Sequence, residues 1–386
     1  MNFDLPLPPL RLHCGLELPG LHLRGFAAGP GIEPLEQLAV EHRGRVDRSA
    51  DELAALWSRD PVRLAADVPT VLVVHALTGD AIVGGEQGWW SWVVGPGLPI
   101  DTTRYRVLCF NHLGSCYGSF GPADAGFPRW SDLPDEEVAD VKGASAPSPP
   151  WRPAPLSTWD LARAQLLALD VLGVSDLVRV VGGSIGGGVA LALQVLAPDR
   201  VHGATAVACS ARSTPWILGW NHLGRQAVLA DPEHGLELAR AAAHLSYRAE
   251  PGLEARQGRS RVGEGSRAPY ALQTYLTHQG RKLRERFDPA AYVAMLDAMD
   301  HHDLDERVHP DRVESWSTGE SWGVDRLHDV DFVGISTDQL YFPAHLRLLA
   351  ERVPGSAYHE IDSPHGHDAF LMPGGPLPGV IARSLR

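Results

Sequence analysis

Hydrophobic and polar positions along this chain change rhythm in blocks. Short apolar runs such as Thr70-Val71-Leu72-Val73-Val74 and Tyr105-Arg106-Val107-Leu108-Cys109-Phe110 are bounded by turn residues, as strands buried on both faces of a sheet should be. Helical spacing follows. Ser157 with Asp160 predicts a capped helix start, and Leu161, Ala164, Ala168, Val171 and Leu172 recur on one face until Gly173 ends the helix. Leu177 to Val181 predicts the next strand, about Gly187 to Leu196 a helix stopped by Pro198, and Ala204 to Cys209 a further strand. This βαβαβ order implies an α/β fold with a doubly wound, mostly parallel sheet and a site at the carboxyl ends of its strands.

From about Ser210 to Leu327 the pattern turns helical and rich in Ala, Arg and Leu, with a polar Gly/Arg/Ser stretch from Gln257 to Arg267. It reads as an inserted helical lid. Strand patterns resume at Asp331 to Ile335 and near Tyr358 to Ile361, so the expected core is discontinuous: residues 1–209 and 328–386 around a lid of residues 210–327. Gly143 to Pro155 is expected to be a surface loop, and Leu35 to Ala66 an extra polar helical insertion.

Composition narrows the function without naming it. With 386 residues, 44% hydrophobic and 21% charged, the chain has the make-up of an ordinary globular protein with room for a large core. A net charge of −13 with no Lys/Arg block argues against nucleic-acid or anionic-membrane partners, which need a basic surface. The opening Met1-Asn2-Phe3-Asp4-Leu5-Pro6 lacks the features of a secretory signal, so a soluble cytoplasmic protein is expected. Cys14, Cys109, Cys116 and Cys209 lie far apart, which suggests core packing rather than disulfides or a zinc site.

The candidate chemistry centres on Val180-Val181-Gly182-Gly183-Ser184-Ile185-Gly186-Gly187, an apolar strand running into Gly-x-Ser-x-Gly. A sharp strand-to-helix turn would hold Ser184 strained and exposed above the sheet, and side chains at Gly182 or Gly186 would block it. A serine hydroxyl needs a base, and the base needs an acid to hold its tautomer. His367, in Gly366-His367-Asp368, and Asp338, in Ser336-Thr337-Asp338 just past a strand, are the candidates. The oxyanion donors are expected to be the backbone N–H of Ile185 and, from His75-Ala76-Leu77-Thr78-Gly79 after an earlier strand, that of Leu77.

Two other chemistries compete. His365-x-His367-Asp368 and His301-His302-Asp303, among 18 histidines, offer ligands to zinc or iron, but no helical His-x-x-x-His accompanies them, and no metal is expected. Gly182 to Gly188 does not fit a dinucleotide fingerprint, because Ser184 stands where the second glycine must be.

These motifs, with Gly88-Trp89-Trp90, Gly95-Pro96-Gly97, Asn111-His112-Leu113-Gly114-Ser115-Cys116-Tyr117-Gly118-Ser119, Ala211-Arg212-Ser213-Thr214-Pro215-Trp216, Thr274-Tyr275-Leu276, Arg286-Phe287-Asp288, Ala298-Met299-Asp300 and Gly366-His367-Asp368-Ala369-Phe370-Leu371, resemble the homoserine O-acetyltransferases of the α/β-hydrolase superfamily. The likeness covers roughly residues 70 to 122 and 156 to 372. It implies an α/β-hydrolase fold, whose triads run Ser, Asp, His along the chain, as Ser184, Asp338 and His367 do. It further implies a ping-pong acetyl transfer from acetyl-CoA, as co-substrate and without a resident cofactor, through Ser184 to the hydroxyl of L-homoserine. Carried over residue by residue, Arg240 would grip the acceptor carboxylate and Asp368 its ammonium, and the family suggests a possible homodimer. Relatives that use succinyl-CoA or L-serine, and a serine esterase with the same triad, stay open as alternatives. So does a catalytically silent scaffold. Arg281, Lys282, Arg284 and Arg286 read either as contacts for CoA phosphates or, preferably, as a solvated helix face.

Overall fold

The computed structural model describes residues 1–41, 44–60, 62–134, 148–306 and 322–385. Among these residues the main sheet has 8 strands: β1 (Asn2–Leu7), β2 (Leu21–Ala28), β3 (Thr70–Val74), β4 (Arg106–Phe110), β5 (Arg179–Gly183), β6 (Ala204–Val207), β7 (Val330–Ile335) and β8 (Ala357–Ile361). They lie in the order β1-β2-β4-β3-β5-β6-β7-β8, antiparallel from β1 through β2 to β4 and parallel from there on. The helices are α1 (Ala50–Trp57), α2 (Thr158–Leu172), α3 (Ile185–Leu196), α4 (Pro215–Ala230), α5 (Pro232–Tyr247), α6 (Glu250–Arg256), α7 (Ala271–Arg284), α8 (Pro289–Asp300), α9 (Pro343–Arg352) and α10 (Leu377–Ser384).

Each central strand is apolar on both faces because two cores share it. Leu72, Leu108, Val180, Ala206 and Phe332 pack with α2, α3 and α9, while Val71, Val73, Val107, Val181, Val207 and Val333 pack with α10 and Trp90. Successive residues alternate between the two, as the period of a strand requires. The start of α2 is capped as its sequence predicts: the Ser157 side chain accepts from the Asp160 N–H and Asp160 returns the bond, and Gly173 closes the helix at φ 71°.

Three boundaries differ from the sequence expectation. β5 continues to Gly183, since Gly182 and Gly183 pair with Ala206 and Val207, and α3 begins at Ile185 instead of near Gly187. The turn between them is Ser184 alone. The last strand before the helical segment ends at Val207; Ala208 takes φ 47°, and its N–H makes a last bond to Val333 O at 2.8 Å.

The antiparallel pair β1 and β2 was not foreseen. Asp4 faces Arg24 across it, and the buried pair is bidentate, with Arg24 Nε and Nη2 at 2.7 and 2.8 Å from the two carboxylate oxygens. The insertion at Leu35 to Ala66 joins this network through Arg48 Nη2, 2.7 Å from Asp4. That insertion is less helical and less polar than expected. Beyond α1 and a short 3₁₀ turn (Glu33–Leu38) its described residues are irregular, and Leu35, Leu38, Leu53 and Leu56 are buried.

Between β6 and β7 the chain forms α4 to α8, in agreement with the helical pattern of that segment. The expected loop at 143–155 lies outside the described residues up to 147. Its remainder runs without helix into α2. Among the described residues no helix is long and apolar enough to cross a membrane.

Candidate active site

Ser184 sits between β5 and α3 at φ 59°, ψ −130°, a conformation that a non-glycine residue adopts only under strain. Its own peptide groups hold it there. The N–H donates to Val207 O at 2.9 Å, and the carbonyl accepts from Gly187 N–H at 2.9 Å. Two glycines make the turn possible: a Cβ on Gly182 would stand 2.2 Å from Gly186 O, and one on Gly186 2.3 Å from Val74 O. As first residue of α3, Ile185 has an N–H with no acceptor inside the helix, so it is free to serve as a donor.

Asp338 and His367 form one buried pair. The His367 Nδ1–H donates to Asp338 Oδ2 at 2.8 Å, and Asp338 Oδ1 accepts the N–H groups of Leu340 and Tyr341 at 2.8 and 2.9 Å. The loops after β7 and β8 are tied together around this pair by Thr337, whose hydroxyl donates to Ser363 O and accepts from Gly366 N–H. Gly366 must be glycine. At φ 67° it lies so close to the end of α5 that a Cβ would meet Tyr247 O at 2.7 Å.

Burial opposes a charge on His367, but Asp338, by charge and by hydrogen bond, together with the charge of Asp368, outweighs it and raises the ring's pKa above its ordinary 6.5. Two rings bracket this imidazole against the elbow. Tyr341 stacks on it with centroids 5.3 Å apart and shares with Ser184 the lining of a small cavity. Phe370 lies edge-on to it at 5.5 Å, and a Cβ on Gly183 would stand 2.5 Å from the Phe370 ring. The Trp90 indole N–H in turn donates to Phe370 O at 2.9 Å.

The loop after β3 is equally constrained. The His112 backbone N–H donates to His75 Nε2 at 3.1 Å, so the His75 proton is on Nδ1 and goes to Ala76 O at 2.7 Å. Gly79 N–H donates to the same carbonyl at 2.9 Å. With its carbonyl held twice, the planar peptide joining Ala76 to Leu77 keeps the Leu77 N–H on its opposite edge.

The two acceptor-binding candidates lie beside the histidine, with an unforeseen third charge. Asp368 Oδ2 is 3.2 Å from Arg248 Nε, in the residue after α5. Arg240 is half-buried, its guanidinium carbon 5.6 Å from the centroid of Tyr247, whose ring lies 5.7 Å from that of His367. Among the described residues Arg240 has no carboxylate partner. His244 is held neutral here, its pKa pushed down to about 3 by burial and then by Arg240 and Arg248. Two guanidinium groups against one carboxylate leave this wall positive and suited to an anion.

The basic cluster divides. Arg281 and Lys282 are exposed, as the solvated-face reading expects, and Arg284 pairs with Glu237 at 3.1 Å. Arg286 departs from that reading and turns inward to Thr78 and Tyr117. The His302 ring, offered as a metal ligand, spends its nitrogens on Ser210 O at 2.7 Å and Thr158 Oγ1 at 2.9 Å. Sequence reasoning missed Tyr247, Tyr341, Arg248 and the inward turn of Arg286. Each is fixed by tertiary packing, and none stands in a motif whose spacing announces it.

A strand-elbow serine, an aspartate-paired histidine and this strand order are features of the α/β-hydrolase fold, and residues 69–372 match the family model described as alpha/beta hydrolase fold. Among relatives, the chain is 40% identical over 334 residues to a homoserine O-acetyltransferase of Thermus thermophilus, covering 78% of each chain. It is 33% identical over 360 residues to one of Moorella thermoacetica, covering 83% of this chain and 87% of that one. The chain therefore belongs to the homoserine O-acetyltransferase family, acyltransferases built on that fold. In solved structures, a homoserine O-acetyltransferase from Staphylococcus aureus aligns with TM-score 0.70 at 23% identity, covering 100% of this chain and 95% of that one. Esterase E22 aligns with TM-score 0.74 at 15% identity, covering 100% of both. At those identities the likeness speaks for the fold alone.

Proposed function

We propose that this protein transfers an acetyl group from acetyl-CoA to the side-chain hydroxyl of L-homoserine, as a cytoplasmic enzyme of methionine biosynthesis, through an acetyl-Ser184 intermediate. His367, oriented by Asp338, removes the Ser184 proton as Oγ attacks the thioester, and gives it to the departing CoA sulfur. It then takes the proton of the homoserine hydroxyl as that oxygen attacks the acyl-enzyme, and returns it to Ser184. The N–H groups of Leu77 and Ile185 stabilise the oxyanion in both halves. Residues 210–327 act as the lid.

The observation that carries this reading is the guanidinium of Arg240, which has no carboxylate partner among the described residues and lies one aromatic ring, Tyr247, away from His367, while Asp368 acts on the same imidazole by its charge. An esterase, whose acceptor is water, has no use for a cation and a carboxylate set to clasp an amino acid. A clasped hydroxyl gains an effective molarity on the order of 10⁵ M or more over a free one, enough to outrun water. The cavity beside Ser184 favours acetyl over succinyl. Its lining, Ile185, Gly188, Cys209, Ser210, Met299, His302 and Tyr341, contains no Arg or Lys to receive a succinyl carboxylate.

The test is to mix enzyme with acetyl-CoA, follow thiol release, and then add homoserine, serine or no acceptor, with succinyl-CoA in parallel. Homoserine should accelerate release far more than serine does, and Ser184→Ala should abolish it. Equal rates with and without an acceptor would refute transfer.

A further inference from the structure

Thr78 follows Leu77 in the loop after β3, and a side chain from outside the sheet holds it. Arg286, in the link between α7 and α8, donates from Nη1 to Thr78 O at 2.9 Å. The same guanidinium is hydrogen-bonded to the Tyr117 hydroxyl. Its two neighbours in sequence are anchored as well. Phe287 is buried edge-on to Tyr117 at 5.5 Å, while Asp288 caps α8 through the Ala291 N–H and receives Arg45 of the 35–66 insertion at 2.9 Å.

On the other side of Leu77, the Ala76 carbonyl is already fixed by His75 and Gly79. The peptide before Leu77 is therefore held by the core, and the one after Thr78 by the helical segment. This division matters because a donor assists an oxyanion only when it is aimed beforehand. A displacement of 1 Å costs about a hundredfold in rate, comparable with losing the donor itself.

We propose that Arg286 is a positioning residue for acyl transfer: through the Thr78 carbonyl it pins the loop on the far side of Leu77, so that the core and the helical segment together keep the Leu77 N–H where the oxyanion forms. The proposal rests on the acetyl-Ser184 reading. Arg286 touches no substrate, and both half-reactions pass through a tetrahedral oxyanion at the same place. Its loss must then slow them by similar factors.

The experiment compares wild type, Arg286→Ala and Arg286→Lys as full chains. It records kcat/KM for acetyl-CoA, kcat/KM for homoserine, the rate at which a fluorophosphonate labels Ser184, and the melting temperature. Arg286→Ala should lower both kcat/KM values and the labelling rate by roughly ten- to a hundredfold, chiefly through kcat. Low, non-denaturing guanidinium should restore part of the loss, and Arg286→Lys should fall in between. Unchanged rates would overturn the proposal. So would a loss confined to one substrate and expressed in its KM, since that marks direct binding of that substrate. If the alanine variant does not fold, the lysine variant is judged by the same ratios. If wild type shows no acceleration by homoserine, the acyl-transfer reading fails, yet the labelling rate still decides the role of Arg286.

Discussion

At the scale of single residues the site turns on how Asp338 spends its two oxygens. One is occupied by backbone N–H groups and the other takes the His367 Nδ1 proton, which leaves Nε2 as the basic nitrogen. Asp338→Asn keeps the shape but presents an amide N–H to Nδ1, and so selects the wrong tautomer. We expect kcat to fall by about 10³ to 10⁴. The pH profile supplies a separate check. His367 must be neutral to act as base, and its pKa lies above 6.5, so the acid limb of kcat/KM for acetyl-CoA should lie above that value in wild type. Removing the Asp338 charge should shift the limb to lower pH. A limb that stays in place in the variant would mean that another group titrates.

Elements carry a different kind of information. The elbow was legible because its steric demand is written in residue types: only glycine fits at 182 and 186, and only a single residue separates strand from helix. Gly186→Ala would press a methyl group onto the carbonyl oxygens of β3 and the residue after it, at 2.3 Å from Val74 O and 2.7 Å from His75 O. Such overpacking against backbone should cost several kcal/mol and either prevent folding or displace Ser184. Circular dichroism with fluorophosphonate labelling distinguishes the two, and a folded variant labelled at the wild-type rate would contradict the argument. β1 and β2 were not legible, for a reason that Asp4 and Arg24 make plain. A strand whose polar positions are buried as ion pairs has the alternation of a surface strand without being one. The 35–66 insertion misled in the same way, because Arg48 is spent inside, on Asp4.

For the whole molecule the balance of buried histidines sets the response to acid. Burial foremost lowers His22 to about 3, His75 to about 4 and His244 to about 3, against an ordinary 6.5. The unfolded chain accepts protons at these positions below pH 6.5 that the folded chain refuses. Their contribution is thus full above 6.5 and is lost as pH falls towards 3 to 4. His367 has the opposite sign: its contribution is present below 6.5 and fades as pH rises through its raised pKa. These three histidines together should cost about 4 kcal/mol between neutrality and about pH 5.5, and the buried His112 and His302, lowered likewise, act in the same direction, so the urea midpoint should fall clearly over that interval. A flat midpoint would show that these rings are accessible to protons in the native state.

Sequence pattern revealed the parallel strands along the chain and offered the triad candidates, since those depend on local chemistry and chain direction. It could not reveal the pairing of Arg248 with Asp368 or of Arg286 with Thr78, because each joins segments brought together only by folding.

The chain leaves the sheet after β6 and re-enters it at β7, its immediate parallel neighbour, with Ala204 opposite Val330. Because the two strands are parallel, the exit after Val207 and the entry at Val330 lie on adjoining strands but at opposite ends of them, offset by roughly 10 Å along the strand direction. A stretch grafted between adjoining rungs can lengthen, shrink or be exchanged in evolution without disturbing the ladder below it. Acceptor preference and acyl chemistry can therefore diverge at separate speeds, except where a guanidinium reaches across the seam and obliges the two to change together.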